Sequence, residues 1–133
     1  MNQPMHPELY GSTIACECGR EHHIEPEEVF YEEDIGDLLP EVVGVHLRGT
    51  RCCTLMDRRT QQAAGDDITE ALSEAGHEVS QVVVADRSNG RSPRCDDETF
   101  ESLKKKIGTT DMLVSVGSGV INDLGKWLAW AFD

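Results

Sequence analysis

The chain has 133 residues, which suits one globular domain and is long enough to bury a hydrophobic core without disulfide support. Its net charge of −13, from 12 basic and 25 acidic residues, argues against nucleic acid or an anionic membrane as the main partner. There is no apolar stretch long enough to cross a bilayer and no signal-peptide pattern in the first ten residues, so we expect a cytoplasmic protein. The five cysteines are odd in number and two are adjacent, which argues against a disulfide framework.

The first part of the chain predicts short strands and one helix. Residues 12–16 and 22–25 predict two strands around the turn Cys18-Gly19-Arg20, and residues 28–31 predict a third. Residues 34–47 predict a helix with apolar side chains on one face, although Pro40 inside it removes a backbone donor.

From Arg51 onward, buried strands alternate with helices. The pattern predicts strands at 51–56, 79–85 and 111–116 and helices at 60–75, 96–107 and 120–132. This order indicates an α/β fold, with a Rossmann-like parallel sheet flanked by helices. Because ligands of such sheets bind at the carboxyl ends of the strands, Asp57, Asp86 and the turn Gly117-Ser118-Gly119 should lie along one edge.

The turn Gly117-Ser118-Gly119 carries most of the functional argument, because it joins a hydrophobic strand directly to a helix. Glycine lets the backbone approach a phosphate and tolerates positive φ. The free N–H groups of the next helical turn point at the ligand, and the helix dipole favours its negative charge. A tight strand-to-helix connection without a ligand is the alternative interpretation.

The sequence around this turn, Val116-Gly-Ser-Gly-Val-Ile-Asn-Asp-Leu124, resembles the diphosphate motif of iron-containing alcohol dehydrogenases, glycerol dehydrogenases and dehydroquinate synthases. It looks most like the bacterial sn-glycerol-1-phosphate dehydrogenases. Cys16-x-Cys18-Gly19-x-x-His22 and Leu55-Met-Asp57-Arg-Arg-Thr60 look like two further blocks of that branch. The resemblance implies the N-terminal nucleotide-binding domain of a dehydroquinate synthase-like fold. We expect a single NAD-binding domain over 1–133, with N-terminal strands at 1–32 and a βαβ core at 33–133.

The resemblance also assigns binding residues. It gives the diphosphate-binding role to Gly117, Ser118, Gly119, Val120 and Ile121. It places Asp57 at the adenosine ribose, where a carboxylate would repel a 2′-phosphate; this favours NAD, while NADP use stays open. A helix N-cap is the alternative role for Asp57. Asn122 and Asp123 either fix the loop near the nicotinamide or favour the helix dipole.

The cysteines and histidines offer a different chemistry. Cys16, Cys18, His22 and His23 could bind zinc, but their spacing is tighter than the usual two-residue knuckle and no second ligand pair follows. We therefore predict no metal site in this chain. The pair Cys52-Cys53 lies in a predicted buried strand and is expected to fill the core.

The implied activity is a metal-dependent, NAD-linked oxidation of a polyol phosphate in phospholipid metabolism, interconverting sn-glycerol-1-phosphate and dihydroxyacetone phosphate. A dehydroquinate synthase-type lyase domain and a non-catalytic nucleotide-binding remnant are the alternatives.

Members of the family hold zinc, nickel or iron with an aspartate and two histidines in a second, helical domain. The sequence ends at Asp133, so we expect that C-terminal metal-binding domain to be absent and this chain to carry no catalytic residues and no activity alone. The expected partners are a dinucleotide, a small phosphorylated polyol, and either further copies of the chain or a C-terminal domain. The apolar residues Trp127, Leu128, Trp130 and Phe132 form either a docking face or, as such residues more commonly do, part of this domain's own packing.

Overall fold

The protein is described from a computed structural model that covers residues 6–132. The chain divides into two compact units, Met1–Ile35 and Gly36–Asp133. None of the helices in the described range combines the length and the apolarity that a membrane crossing requires.

The N-terminal unit contains a short antiparallel hairpin, in which β1 (Thr13–Ala15) pairs with β2 (Glu21–His23). A 3₁₀ turn at Pro7–Leu9 precedes it. The hairpin confirms the first two predicted strands. The strand predicted at 28–31 is wrong, because no strand of the described residues lies beside this stretch to complete a hydrogen-bond ladder.

The C-terminal unit contains the predicted parallel sheet. Its strands are β3 (Arg51–Asp57), β4 (Glu78–Val84) and β5 (Met112–Val116), in the order β4-β3-β5. The central strand β3 is the most buried. Cys52 and Cys53 in β3 are almost fully buried, which confirms that they fill the core.

The helices are α1 (Ile35–His46), α2 (Arg58–Thr60), α3 (Asp66–Glu74), α4 (Asp97–Lys106) and α5 (Gly119–Phe132). Three of the four predicted helices lie within two residues of their predicted bounds, whereas the helix predicted at 60–75 is divided into α2, a π turn and α3. α1 continues through Pro40. A π turn at Gln61–Gly65 joins α2 to α3, and the apolar periodicity did not predict it.

Helices cover both faces of the sheet, because successive side chains of β3 point to opposite sides. Leu55 packs in a buried cluster with Phe100 of α4 and Leu124 of α5. Thr54 belongs to the other face, where its Oγ1 lies 2.9 Å from Thr69 Oγ1 of α3. This two-sided cover confirms the predicted α/β class.

The π turn brings the backbone of Gly65 against the sheet. A Cβ added at Gly65 would collide with Sδ of Met56 in β3. The Thr69 hydroxyl donates to the Gly65 carbonyl over 2.7 Å, which provides this turn with a hydrogen bond outside the regular helical ladder. The π turn is therefore a close contact between helix backbone and core, in which any larger residue requires Met56 or the helix to shift.

The apolar end of α5 is only partly exposed. Trp127 stacks on Phe100 with ring centroids 4.2 Å apart, and Leu128 is fully buried. Trp130 is 78% exposed and Phe132 is 48% exposed. The surface available for docking therefore consists of Trp130 and Phe132, whereas the other two residues of the predicted face stabilise the core.

Candidate functional site

The carboxyl ends of the three parallel strands meet at one edge of the sheet. The register pairs Asp57 of β3 with Val84 of β4, and Met56 of β3 with Val116 of β5. The segments that follow the strands therefore begin side by side, as the sequence predicted. Edges of this kind are where α/β proteins bind their ligands.

The glycine turn after β5 leads directly into α5, which begins at Gly119. The Asn122 N–H donates to the Ser118 carbonyl over 3.1 Å, which closes the first turn of the helix. Neither Gly117 nor Gly119 has positive φ. The expectation that this turn uses the left-handed freedom of glycine is therefore wrong, and the space around each residue explains the two glycines instead.

The two glycines leave room for different neighbours. A Cβ at Gly117 would lie 2.9 Å from Cβ of Ile121, so this glycine allows the turn to pack on its own helix. A Cβ at Gly119 would meet no atom within 4 Å. The backbone at Gly119 thus opens onto free space, and a phosphate can approach the amides at the start of α5 there.

The other predicted residues of this segment divide between surface and core. Ser118, Asn122 and Asp123 are exposed, whereas Ile121 is 1% exposed and Val120 packs partly buried against the core. The Ile121 side chain anchors the helix start to the sheet, so only its backbone amide is available to a ligand. The structure therefore brings these residues together at one helix start.

Asp57 caps α2. Its Oδ1 accepts hydrogen bonds from the N–H groups of Arg59 (2.8 Å) and Thr60 (2.9 Å), and its own N–H donates to Thr60 Oγ1 (3.0 Å). This reciprocal arrangement is a capping box, the alternative role that the sequence left open. Both hydrogen bonds that the Asp57 side chain accepts in the cap go to Oδ1, so the cap does not require Oδ2 as an acceptor.

An ion pair that the sequence analysis missed crosses the same edge. Arg59 Nη1 and Nη2 donate to Asp86 Oδ1 and Oδ2 over 2.8 and 3.3 Å, and Arg58 Nη2 lies 3.6 Å from Oδ2. The hydrogen bond from Arg59 lowers the pKa of the Asp86 carboxyl below its ordinary value and raises the pKa of the guanidinium. The sequence contained a signal for this pair, because Arg59 follows the end of β3 and Asp86 follows the end of the neighbouring strand β4.

A cleft of about 440 Å³ lies next to this ion pair, between the end of β4 and α4. Asp86 lines it together with the loop residues Arg87 and Asn89 and with Asp96, whose Oδ1 caps α4 by accepting from Thr99 N (3.0 Å). The cleft extends the carboxyl edge of the sheet beyond β4. Its polar side chains are available to a ligand that binds at this edge.

Among the described residues, no group of side chains matches the metal ligands that the resemblance implies. Within residues 6–132, the only group of three or more metal-ligating side chains is Cys16, Cys18 and His22, all exposed and all in the N-terminal unit. The resemblance implies an aspartate and two histidines for that metal, which is a different set of ligands. We therefore derive no catalytic step through a metal from these residues.

Comparison with protein-family models gives a match between residues 31–133 and the family described as iron-containing alcohol dehydrogenase. This range includes the whole parallel sheet of β3, β4 and β5, the capping box at Asp57 and the glycine turn.

Two curated relatives are 3-dehydroquinate synthases. The protein from Clostridium botulinum (strain Alaska E43 / Type E3) is 27% identical over 99 residues, which cover 74% of this chain and 28% of the relative. The protein from Chlorobium chlorochromatii (strain CaD3) is 25% identical over 95 residues, which cover 71% and 26%. The chain thus spans about a quarter of the length of these relatives.

Among solved structures, glycerol dehydrogenase from Schizosaccharomyces pombe superposes with a TM-score of 0.63 and 18% identity. The superposition covers 73% of this chain and 23% of that enzyme. At this identity, the likeness shows that the two proteins share a fold.

Proposed function

Because the chain belongs to the iron-containing alcohol dehydrogenase family, we propose that it is the NAD-binding portion of a metal-dependent dehydrogenase that acts on a polyol phosphate. The proposed substrate is sn-glycerol-1-phosphate, which is oxidised to dihydroxyacetone phosphate while its hydride passes to the nicotinamide. The resemblance of residues 116–124 to the bacterial enzymes of that activity supports this choice of substrate.

The observation that carries the proposal is the open backbone at Gly119. It lies at the carboxyl end of β5, where the helix α5 begins, and no atom occupies the position of a Cβ. Main-chain amides at a helix start bind phosphate through hydrogen bonds and through the helix dipole. These features suit the diphosphate of a dinucleotide.

The proposed contacts divide between backbone and side chains. The amides of Gly119, Val120 and Ile121 bind the diphosphate, and the exposed Ser118 hydroxyl donates a further hydrogen bond. The carboxylate of Asp57 accepts from the adenosine ribose through Oδ2 while Oδ1 keeps its role in the cap. When bound, NAD supplies the hydride acceptor, and this chain's contribution is to hold and orient it.

The substitution Gly119→Ala tests the diphosphate site directly. The added methyl group meets no atom within 4 Å beyond its chain neighbours and its own helix backbone, so the fold should be unchanged, but it occupies the space through which the phosphate approaches. We expect calorimetric titration with NAD to show an affinity lower by about tenfold or more, equivalent to about 1.4 kcal/mol. The melting temperature should stay within about a degree of the wild-type value.

The matched control is Gly108→Ala. A Cβ at Gly108 also meets no atom within 4 Å, and this residue precedes β5 at the opposite end of the strand. NAD affinity should be unaffected in this variant. Equal affinities of the wild type and Gly119→Ala would contradict the proposed site, and failure of the wild type to bind NAD would contradict the proposed function.

A dehydroquinate synthase-type lyase is the second candidate, because both curated relatives reported above carry that name. In this case the chain would bind the same dinucleotide, so the NAD titration does not separate the two candidates. A protein that joins this segment to a metal-binding domain would separate them, through NADH formation with sn-glycerol-1-phosphate. A lyase that uses NAD only transiently would release no net NADH.

A further inference from the structure

The hairpin of the N-terminal unit brings two thiols and an imidazole together. Its turn is closed by the Cys16 N–H, which donates to the Arg20 carbonyl over 2.9 Å, and by the Gly19 N–H, which donates to the Cys16 carbonyl over 3.0 Å. Gly19 adopts φ of +80°, a conformation that side-chain-bearing residues rarely adopt. This glycine allows the tight turn that folds Cys18 back towards His22.

The three potential ligand atoms are within the reach of one ion. Cys18 Sγ lies 3.1 Å from His22 Nε2, and the Sγ atoms of Cys16 and Cys18 and the ring nitrogen of His22 all lie within 4.8 Å of one another. A tetrahedral zinc with Zn–S of about 2.3 Å and Zn–N of about 2.0 Å holds its ligand atoms about 3.5 to 3.8 Å apart. Small side-chain rotations therefore suffice to form the site.

The chemistry of these ligands selects the class of cation. Thiolates with imidazole bind zinc and other thiophilic ions, whereas magnesium and calcium require oxygen ligands. The Cys18 N–H donates to Cys16 Sγ over 3.5 Å, which holds the Cys16 side chain against the turn. Residues 1–35 contain nine acidic residues and one basic residue, so the surrounding field attracts a cation.

We propose that Cys16, Cys18 and His22 bind one Zn²⁺ ion, with water in the fourth position. Each of these side chains is exposed, so the ion can enter from solvent without opening of the fold. The site fixes the hairpin of the N-terminal unit, because its ligands come from both sides of the turn. Its ligands all belong to the N-terminal unit, whereas the residues proposed to bind the nucleotide all belong to the other unit.

The test is a zinc titration of the full chain, kept reduced and stripped of metal, in competition with a chromophoric chelator. We expect one zinc per chain, and a cobalt titration should give the absorption of thiolate-bound cobalt. Cys16→Ser, Cys18→Ser and His22→Gln should each lower the affinity by about tenfold or more, since even outer-shell partners of zinc ligands contribute about 10- to 100-fold.

Cys95→Ser is the matched control, because Cys95 is also an exposed free thiol but belongs to the other unit. It should leave zinc affinity and stoichiometry unchanged. The proposal would be overturned if the wild type bound zinc no more tightly than a Cys16→Ser/Cys18→Ser double variant, or if Cys95→Ser lost as much affinity as that variant.

Limited trypsin digestion tests whether the ion fixes the hairpin. Arg20 lies in the turn and is the only Lys or Arg among residues 1–35, so cleavage after it reports on this unit alone. Zinc should slow cleavage at Arg20 at least severalfold in the wild type and in Cys95→Ser, but not in Cys18→Ser. Cleavage that zinc slows equally in all three proteins would contradict a site at these residues.

Discussion

Asp57 combines a structural role with a proposed binding role, and one substitution separates them. Asn is as good an N-cap as Asp, so Asp57→Asn should keep the Oδ1 bonds to Arg59 and Thr60 and change the free energy of unfolding by less than about 0.5 kcal/mol. Loss of the charge should weaken NAD binding and narrow the preference for NAD over NADP. Thermal unfolding and calorimetric titrations with both dinucleotides measure these effects. Unchanged binding of both dinucleotides would leave Asp57 with the cap role alone.

Asp111 ties together the amino ends of β3 and β5. Its Oδ2 accepts from the N–H groups of Thr50 (3.1 Å) and Arg51 (2.9 Å), and its Oδ1 lies 2.6 Å from Arg51 Nη2. The Arg51 side chain, and then its backbone N–H, hold the pKa of the Asp111 carboxyl well below its usual range. Since the folded-state pKa is depressed, this stabilisation is present above the unfolded-state pKa of about 3.9 and is lost as pH falls towards the folded-state value.

The substitution Asp111→Asn should therefore lower the melting temperature at pH 7. It should also reduce the loss of stability that the wild type shows on acidification below about pH 4. Glu70→Gln, at an exposed position on α3, is the control and should behave like the wild type in both respects. Melting curves from pH 2 to pH 7 provide the comparison. Parallel curves for the wild type and Asp111→Asn would show that this carboxylate does not couple stability to pH.

At the scale of the elements, the π turn depends on one close contact. Gly65→Ala would force a methyl group against Met56 Sδ in the buried face of β3. Overpacking of this kind costs about 1 to 3 kcal/mol, and chemical denaturation should show that loss. Gly108→Ala has open space and no positive φ, so it should be neutral or stabilise by up to about 1 kcal/mol. Equal stabilities of the two variants would mean that the helix relaxes away from Met56.

Local sequence predicted the regular elements because their apolar spacing reflects burial against the sheet. It did not predict the π turn, since the contact of Gly65 with Met56 depends on how the helix lies on β3. It also predicted a strand at 28–31 from residue type alone, and a strand forms only where a partner strand lies beside it. The motif identified the glycine turn, but it could not show why glycine is needed there. The structure shows that Gly117 lacks room for a Cβ beside Ile121 and does not have positive φ.

For the whole molecule, we expect the isolated chain not to turn over substrate. No aspartate and two histidines of its described residues lie together as the ligand group that the family resemblance implies, and it spans about a quarter of the length of its curated relatives. Incubation with sn-glycerol-1-phosphate, NAD and added zinc or nickel should give no NADH above a protein-free blank. A robust rate would show that this chain contains a complete active site.

This chain has an exposed apolar surface at the end of α5. We propose that a C-terminal domain or a further copy of the chain binds there. Trp130 and Phe132 stay exposed there, whereas Trp127 is held in the core by Phe100. Large exposed aromatic side chains of this kind are enriched where proteins associate.

The order β4-β3-β5 places the best-protected strand in the middle of the sheet. Among the described residues, β4 and β5 each pair with a strand on one side only, so the main-chain amides and carbonyls of their outer sides have no strand partner. An additional strand could therefore pair at either margin without changing the edge at which we propose that the dinucleotide binds. In this segment, the edge strands β4 and β5 can also pair with strands of a second molecule, and a higher protein concentration favours this association.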